Sequence, residues 1–275
     1  MLELKLKKEN PFLKVLEAIL DLVDEASVDC SSKGLKLQAI DTELVAIISL
    51  HFPHEIFDAY ICDEKLSMGI PIDDMVKVIR CADKDDTITI KFGDGNLDTI
   101  TLSFQSPVGN DTMAYDLRLV DANDQHFPIP DWQVLESKYQ AFVEMPSADF
   151  MHACKCLSNI DYDGDIFVTE DGLLFCASGK SGRVSIKYKK EAITEFSMEE
   201  EVSMTLDTKY MKSFAKMSTL FDQVRIFFSR TQPLMVESKI GHGGYLRYFL
   251  APKTKTEEES RTCVQLAVCV VRICS

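Results

Sequence analysis

The sequence repeats its own plan once, and that duplication limits the fold more than composition does. Phe12 opens a helical pattern carrying Val15, Leu16, Ile19 and Leu22; 138 positions later Phe150 opens another, carrying Ala153, Cys154 and Leu157. Each pattern leads through a strand to a glycine turn. Lys33-Gly34-Leu35-Lys36-Leu37 follows the first and Asp171-Gly172-Leu173-Leu174-Phe175 the second, the glycines again 138 apart. Glycine supplies the positive φ that a tight hairpin demands. A further helical pair follows: Asp73-Asp74 precedes Met75, Val76, Ile79 and Ala82, and Asp207-Thr208 precedes Met211, Phe214 and Ala215. Asp73 and Asp207 are placed as N-caps. Each helix runs into an alternating, strand-like stretch, Thr87–Phe92 and Gln223–Phe228. The predicted fold class is therefore α+β, with two similar domains at residues 1–118 and 137–252. Residues 119–136, with Pro128 and Pro130 among acids, read as an extended connector. Residues 253–275 read as a flexible tail, acidic at Glu257-Glu258-Glu259 and then apolar from Val264 to Cys274.

A net charge of −14 argues against nucleic acid unless the 30 basic residues are segregated. Helical positions i, i+3 and i+7 share a face. On the second helix they give Lys77, Arg80 and Lys84, and on the fourth Lys209, Lys212 and Lys216. The third gives His152, Lys155 and Asn159; the first offers Lys14 beside Glu17 and Asp21. One polar stripe is ordinarily just a solvated face. Its recurrence on three of four helices in an acidic chain is the footprint of a basic surface on an acidic body. Nothing interleaves aromatics for stacking on single strands or clusters amides for base edges, so the expected contact is to phosphates, without sequence preference.

No catalytic or metal constellation is present in the sequence, and no cofactor is expected. His51, His54, His126, His152 and His242 are scattered, and Cys154-x-Cys156 has the wrong spacing for a zinc knuckle. Asp161-Tyr162-Asp163-Gly164-Asp165 has Gly172 where a calcium loop closes with Glu, and reads as a loop. Gly93-Asp94-Gly95 and Gly241-His242-Gly243-Gly244 lack the Lys-Ser/Thr of a phosphate loop and read as hairpin turns. Nine cysteines with no C-x-x-C read as reduced, mostly buried thiols, pointing to cytosol or nucleus. The opening Met1-Leu-Glu-Leu-Lys-Leu-Lys-Lys8 alternates like a strand rather than a signal peptide, and no run reaches the roughly 20 apolar residues of a membrane span.

Several segments, in order and with near-constant spacing over about residues 1–259, resemble the eukaryotic DNA sliding clamp, the proliferating cell nuclear antigen family. They are Lys14-Val-Leu-Glu-Ala18, Gly34-Leu-Lys-Leu-Gln38 leading to Asp41, Phe57-Asp-x-Tyr60-x-Cys62-Asp63, Met68-Gly69, Met145-Pro-Ser147, Ala177-Ser-Gly179 and Tyr248-Phe-Leu-Ala-Pro-Lys253. The resemblance implies a non-enzymatic nuclear homotrimer, a processivity factor for delta-type DNA polymerases. Two clamp domains per subunit would build a ring, helices lining it and antiparallel sheets outside. Its partners would be double-stranded DNA, a clamp loader, and proteins bearing a Gln-aliphatic-aromatic-aromatic motif.

Carried over by position, Lys14, Lys77, Arg80, Lys155, Lys209 and Lys216 would line the hole, with Lys84, His152 and Lys212 on the same stripes. The stretch from Ile61 to Arg80 corresponds to the family's described DNA-binding region. The partner pocket would comprise Ile40, Leu44, Val45, Ile47, Phe127, Ile129, Pro233, Phe249, Leu250, Ala251 and Pro252. The subunit joint would pair a strand around Tyr115 and Leu117 with one around Val184 and Ile186. Some positions depart from the pattern. Leu13, Leu20 and Asn159 stand where basic residues are usual, Asp73 and Asp74 add acid, and Leu44 replaces a common His. Glu170 stands at the lysine that takes ubiquitin or SUMO in many members, so that modification is not expected here. A clamp-like paralogue, acting as a checkpoint-type subunit or off-DNA scaffold, is the alternative; an unrelated hydrolase lacks its nucleophile and base.

Overall fold

The computed structural model describes residues 1–93, 97–107, 112–121, 136–218 and 220–253. The chain forms two compact units. One comprises Met1–Ile40, Ser49–His126 and Ile240–Leu246; the other Asp41–Ile48, Phe127–Lys239 and Arg247–Ser275.

The first half of the sequence runs β1 (Leu2–Lys7), α1 (Pro11–Ile19), β2 (Glu25–Ser31), β3 (Gly34–Ile40), β4 (Ala46–Pro53), β5 (Ala59–Cys62), β6 (Leu66–Pro71), α2 (Ile72–Arg80), β7 (Thr87–Phe92), β8 (Thr99–Gln105) and β9 (Thr112–Arg118). The second half repeats that order. It runs β10 (Ala141–Pro146), α3 (Ser147–Ser158), β11 (Asp163–Thr169), β12 (Gly172–Gly179), β13 (Gly182–Lys189), β14 (Glu195–Met198), β15 (Val202–Asp207), α4 (Thr208–Ser218), β16 (Gln223–Phe228), β17 (Leu234–Ile240) and β18 (Gly244–Leu250). The hydrogen-bonded orders repeat too: β5-β1-β7-β8-β9 answers β14-β10-β16-β17-β18, and β6-β2-β3-β4 answers β15-β11-β12-β13. The described registers are antiparallel, as in Leu4 opposite Ile90 and Val143 opposite Ile226.

Local chemistry accounts for the elements. Leu2, Leu4 and Leu6 point inward from β1, the period-two pattern of a half-buried strand. Asn10 caps α1, its side chain accepting from the Phe12 N–H at 2.9 Å, and Pro11 takes the first helical position, where no donor is needed. Phe12, Val15, Leu16 and Ile19 then face the core, each buried side chain contributing about 2 kcal/mol. Phe12 meets Phe52 edge-on at 5.3 Å.

The paired glycine turns are as the sequence predicts. Gly34 has φ +125° and Gly172 +126°, and a Cβ on either would lie 2.2 Å from a carbonyl oxygen, that of Phe52 or Tyr188. Asp207 accepts from the Lys209 N–H at 2.9 Å, as a cap should. Asp73 does not cap. Pro71 holds the cap position because β6 runs straight into α2, and the Ile72 N–H donates to Asp24 O at 2.8 Å; Asp73 and Asp74 lie in the first turn. The Asp161–Asp165 stretch is a loop only to Tyr162, since Asp163 begins β11.

The cysteines divide. Cys30, Cys154 and Cys176 are buried, and burial pushes the Cys30 thiol up to about 12, whereas Cys81 is exposed and Cys62 and Cys156 are half-buried. The connector from 122 to 135 and the tail from 254 onward lie outside the described residues.

Candidate nucleic-acid interface

In the first unit α1 packs on α2, leaving Lys14 and Glu17 of α1 and Asp74, Lys77 and Arg80 of α2 exposed. The cations of α2 are held by acids. Lys77 Nζ lies 2.5 Å from Asp73 and 3.2 Å from Asp74, which hold its ammonium above the usual lysine range. Arg80 Nε reaches across to Glu17 at 3.3 Å. These groups are 45% to 60% exposed, so solvent screens each pair and a phosphate can replace the carboxylate.

Two expectations need correction here. Lys84 is not on the helix: α2 ends at Arg80, because Asp83–Asp86 forms a turn in which the Asp83 N–H donates to Asp86 Oδ2 at 2.8 Å. Lys84 instead stands 3.8 Å from Glu9. Leu13 is buried at 3% exposure, a core residue rather than a missing surface cation; Leu20 is half-buried at the end of α1.

In the second unit α3 packs on α4. His152 and Lys155 on α3, Asn159 at its C-cap, and Lys209, Lys212 and Lys216 on α4 are all exposed. Lys209 lies 3.5 Å from Glu43. Among the described residues no carboxylate forms an ion pair with Lys14, Lys155 or Lys212. The cations therefore differ in character: Lys77 and Arg80 of α2 are held by neighbouring acids and Lys209 by Glu43, whereas Lys14, Lys155 and Lys212 have no carboxylate partner among the described residues. Changing Asp73 and Asp74 together to Asn should free Lys77. Duplex affinity is then expected to rise, with the slope of log K against log salt steeper by about 0.9 per freed cation, read by anisotropy across a salt series.

The residues expected at the partner pocket divide by burial. Val45, Ile47, Phe249, Leu250 and Ala251 are 6% exposed or less, and Pro233 is buried. In the second unit the Ala251 N–H donates to Val45 O at 3.1 Å, bringing these segments together. Leu44, 41% exposed with φ 57°, and half-buried Pro252 offer apolar surface there. Ile40, in the first unit, is half-buried at the end of β3, and Phe127 and Ile129 lie outside the described residues.

The loop that carries Leu44 is fixed by a residue the sequence reading did not single out for this. Buried Asp41 accepts from the N–H groups of Val45 at 2.7 Å, Ala46 at 2.6 Å and Glu43 at 3.2 Å, and from the Tyr210 hydroxyl. Burial and then Asp41 push the Tyr210 hydroxyl pKa upward. An Asx-type signal, Asp followed by polar residues before an apolar strand, marks such a turn.

β9 ends one sheet and β13 another. Met113 and Tyr115 are 40% and 37% exposed along one side of β9, with Leu117 half-buried beside them. Val184, Ile186 and Tyr188 are half-buried along one side of β13. Glu170 is exposed in the turn between β11 and β12. Among the described residues no three His, Cys, Asp or Glu gather as a metal site, and no helix is long and apolar enough to cross a membrane.

The sequence matches two family models. That of the proliferating cell nuclear antigen, N-terminal domain, covers residues 1–126, and that of the proliferating cell nuclear antigen, C-terminal domain, covers residues 133–253.

Proposed function

The chain belongs to the proliferating cell nuclear antigen family of DNA sliding clamps, and from that membership we propose that three copies close head to tail into a nuclear ring around duplex DNA. The ring is a non-enzymatic processivity factor for delta-type polymerases, placed by a clamp loader. It also docks proteins that carry a Gln-aliphatic-aromatic-aromatic motif.

One observation carries this reading. By the internal duplication, β18 is the counterpart of β9, and β4 of β13. β18 and β4 are hydrogen-bonded neighbours, while β9 and β13 each end a sheet. The same pairing, made between copies instead of within one, joins β9 to β13. Exposed edges with alternate apolar residues invite that augmentation, and a heterologous contact closes if its rotation permits. Met113, Tyr115 and Leu117 meet Val184, Ile186 and Tyr188 at the joint.

Lys14, Lys77, Arg80, His152, Lys155, Lys209, Lys212 and Lys216 then face the phosphates, with Lys84 at the margin. A closed ring cannot fall off sideways, so weak, salt-sensitive contacts suffice and permit sliding. Leu44 and Pro252 form the open part of the partner pocket, and a partner's aromatic anchors lie against them.

Light scattering on the purified chain is expected to give three times the protomer mass of 31.0 kDa. A monomer at micromolar concentration overturns the homotrimer. It favours the second reading, a clamp-like paralogue working as a checkpoint-type subunit or off-DNA scaffold, which the self-neutralised α2 face supports.

A further inference from the structure

We propose that residues 264–271 of this chain add as a strand to the open edge of its own β13 and so compete with the neighbouring subunit for that edge. The competition rests on assigning β13 to the subunit joint; the strand addition does not.

β13 has two unlike faces. Val184, Ile186 and Tyr188 lie toward α3, where the Tyr188 O–H donates to Asp149 O at 3.0 Å and its ring meets Phe175 at 6.1 Å. Arg183, Lys187 and Lys189 alternate with them and are exposed. An occupant of this edge needs alternate apolar residues for the first face and acid for the second.

The sequence beyond Lys253 supplies both. Val264, Leu266, Val268 and Val270 alternate, so as a strand they share one face, and the segment is rich in the β-branched residues that suit strands. Glu257-Glu258-Glu259 precedes it. These residues lie outside the described ones, but their point of departure is fixed: the Lys253 N–H donates to Thr205 O at 2.8 Å. Thr205 stands opposite Asp165, Asp165 opposite Cys176, and Cys176 opposite Ser185 of β13. That is three strand spacings, about 14 Å. The ten residues from 254 to 263 span up to about 33 Å, enough to cross the sheet, and Glu259, at most about 20 Å from Lys253, comes within side-chain reach of Arg183, while Lys187 already has Asp171 at 2.9 Å. The nearer edge, β15, is already engaged, with Thr205 O taken by Lys253 and the adjoining Glu201 O by the Arg230 guanidinium.

The test uses the full chain made monomeric by Tyr115→Ala in β9, which leaves β13 intact, with and without Val268→Pro and Val270→Pro. Proline cannot donate to a ladder. Amide hydrogen exchange at residues 184–188 is expected to quicken about tenfold or more when the prolines are present. In the chain with Tyr115 retained, the prolines are expected to raise the trimer association constant about tenfold. A Tyr115→Ala chain that keeps the mass of three protomers overturns the joint and, with it, the competition. A monomer whose β13 exchange ignores the prolines, or whose proline-sensitive protection falls on β15, overturns the tail assignment alone. Proline-sensitive protection of β13 with an unchanged association constant overturns the competition while the strand addition stands.

Discussion

Replacing Lys155, Lys209, Lys212 and Lys216 together by glutamate is expected to lower duplex-DNA affinity about a thousandfold at 0.15 M salt, since each lost phosphate contact flattens the log K–log salt slope by about 0.9. The mass in solution should not change, because all four side chains stand on the exposed sides of α3 and α4, with the apolar sides of those helices in the core. Polymerase stimulation on a primed template should fall with it. Reversal of Lys77 and Arg80 should do less than reversal of Lys155 and Lys212 alone, because Asp73, Asp74 and Glu17 already draw the first pair away from a phosphate and no carboxylate among the described residues pairs with the second. Anisotropy with a labelled duplex across a salt series measures both. Equal losses from the two pairs would show that local carboxylates do not set the grip, and unchanged affinity in the fourfold reversal would remove the α3–α4 face from the interface.

Asp41→Ala is expected to cost about 4 kcal/mol of stability in the second unit, read as a shift of the urea midpoint. The carboxylate collects three backbone N–H groups and the Tyr210 hydroxyl, and removing it strands buried donors at about 1–3 kcal/mol each. Asp41→Asn keeps one acceptor oxygen and should lose roughly half as much, and Tyr210→Phe about 1 kcal/mol. The loss has a functional consequence. Leu44 sits at φ 57°, a conformation a leucine holds only when its surroundings fix it, and Asp41 closes that turn. Binding of a peptide with two adjacent aromatics should weaken in Asp41→Ala at temperatures where the unit is still folded. Undiminished binding would separate the loop from the docking surface.

Glu237 sets a limit on what such substitutions can be asked to report. It is 3% exposed and bonds Arg225 at 2.7 Å and Arg247 at 2.6 Å, with the Arg225 guanidinium 4.7 Å from the Phe142 ring. Its removal takes a buried carboxylate from both arginines, with Glu144 still 3.4 Å from Arg225, and is expected to destabilise the unit, so changes there carry no information about DNA.

The sequence by itself determined the repeated architecture. Helical and strand periods and the φ demanded of Gly34 and Gly172 are local properties, written in spacing and in the absence of a Cβ. It also determined the family, through motifs that keep their order, and the basic stripes of α3 and α4, since the i, i+3, i+7 rule needs no partner. Only the tertiary structure decided the rest. That α2 stops at Arg80 depends on the Asp83–Asp86 turn, and that Asp73 fails to cap depends on Asp24, far away in sequence, taking the Ile72 N–H. That Leu13 is core, that Glu17 reaches Arg80, and that Asp41 lies beneath Tyr210 are contacts between residues distant in the chain. The physical reason is common to all of them: where a backbone donor or a charge finds its partner is settled by which elements pack together, and a one-dimensional pattern carries that only as alternatives.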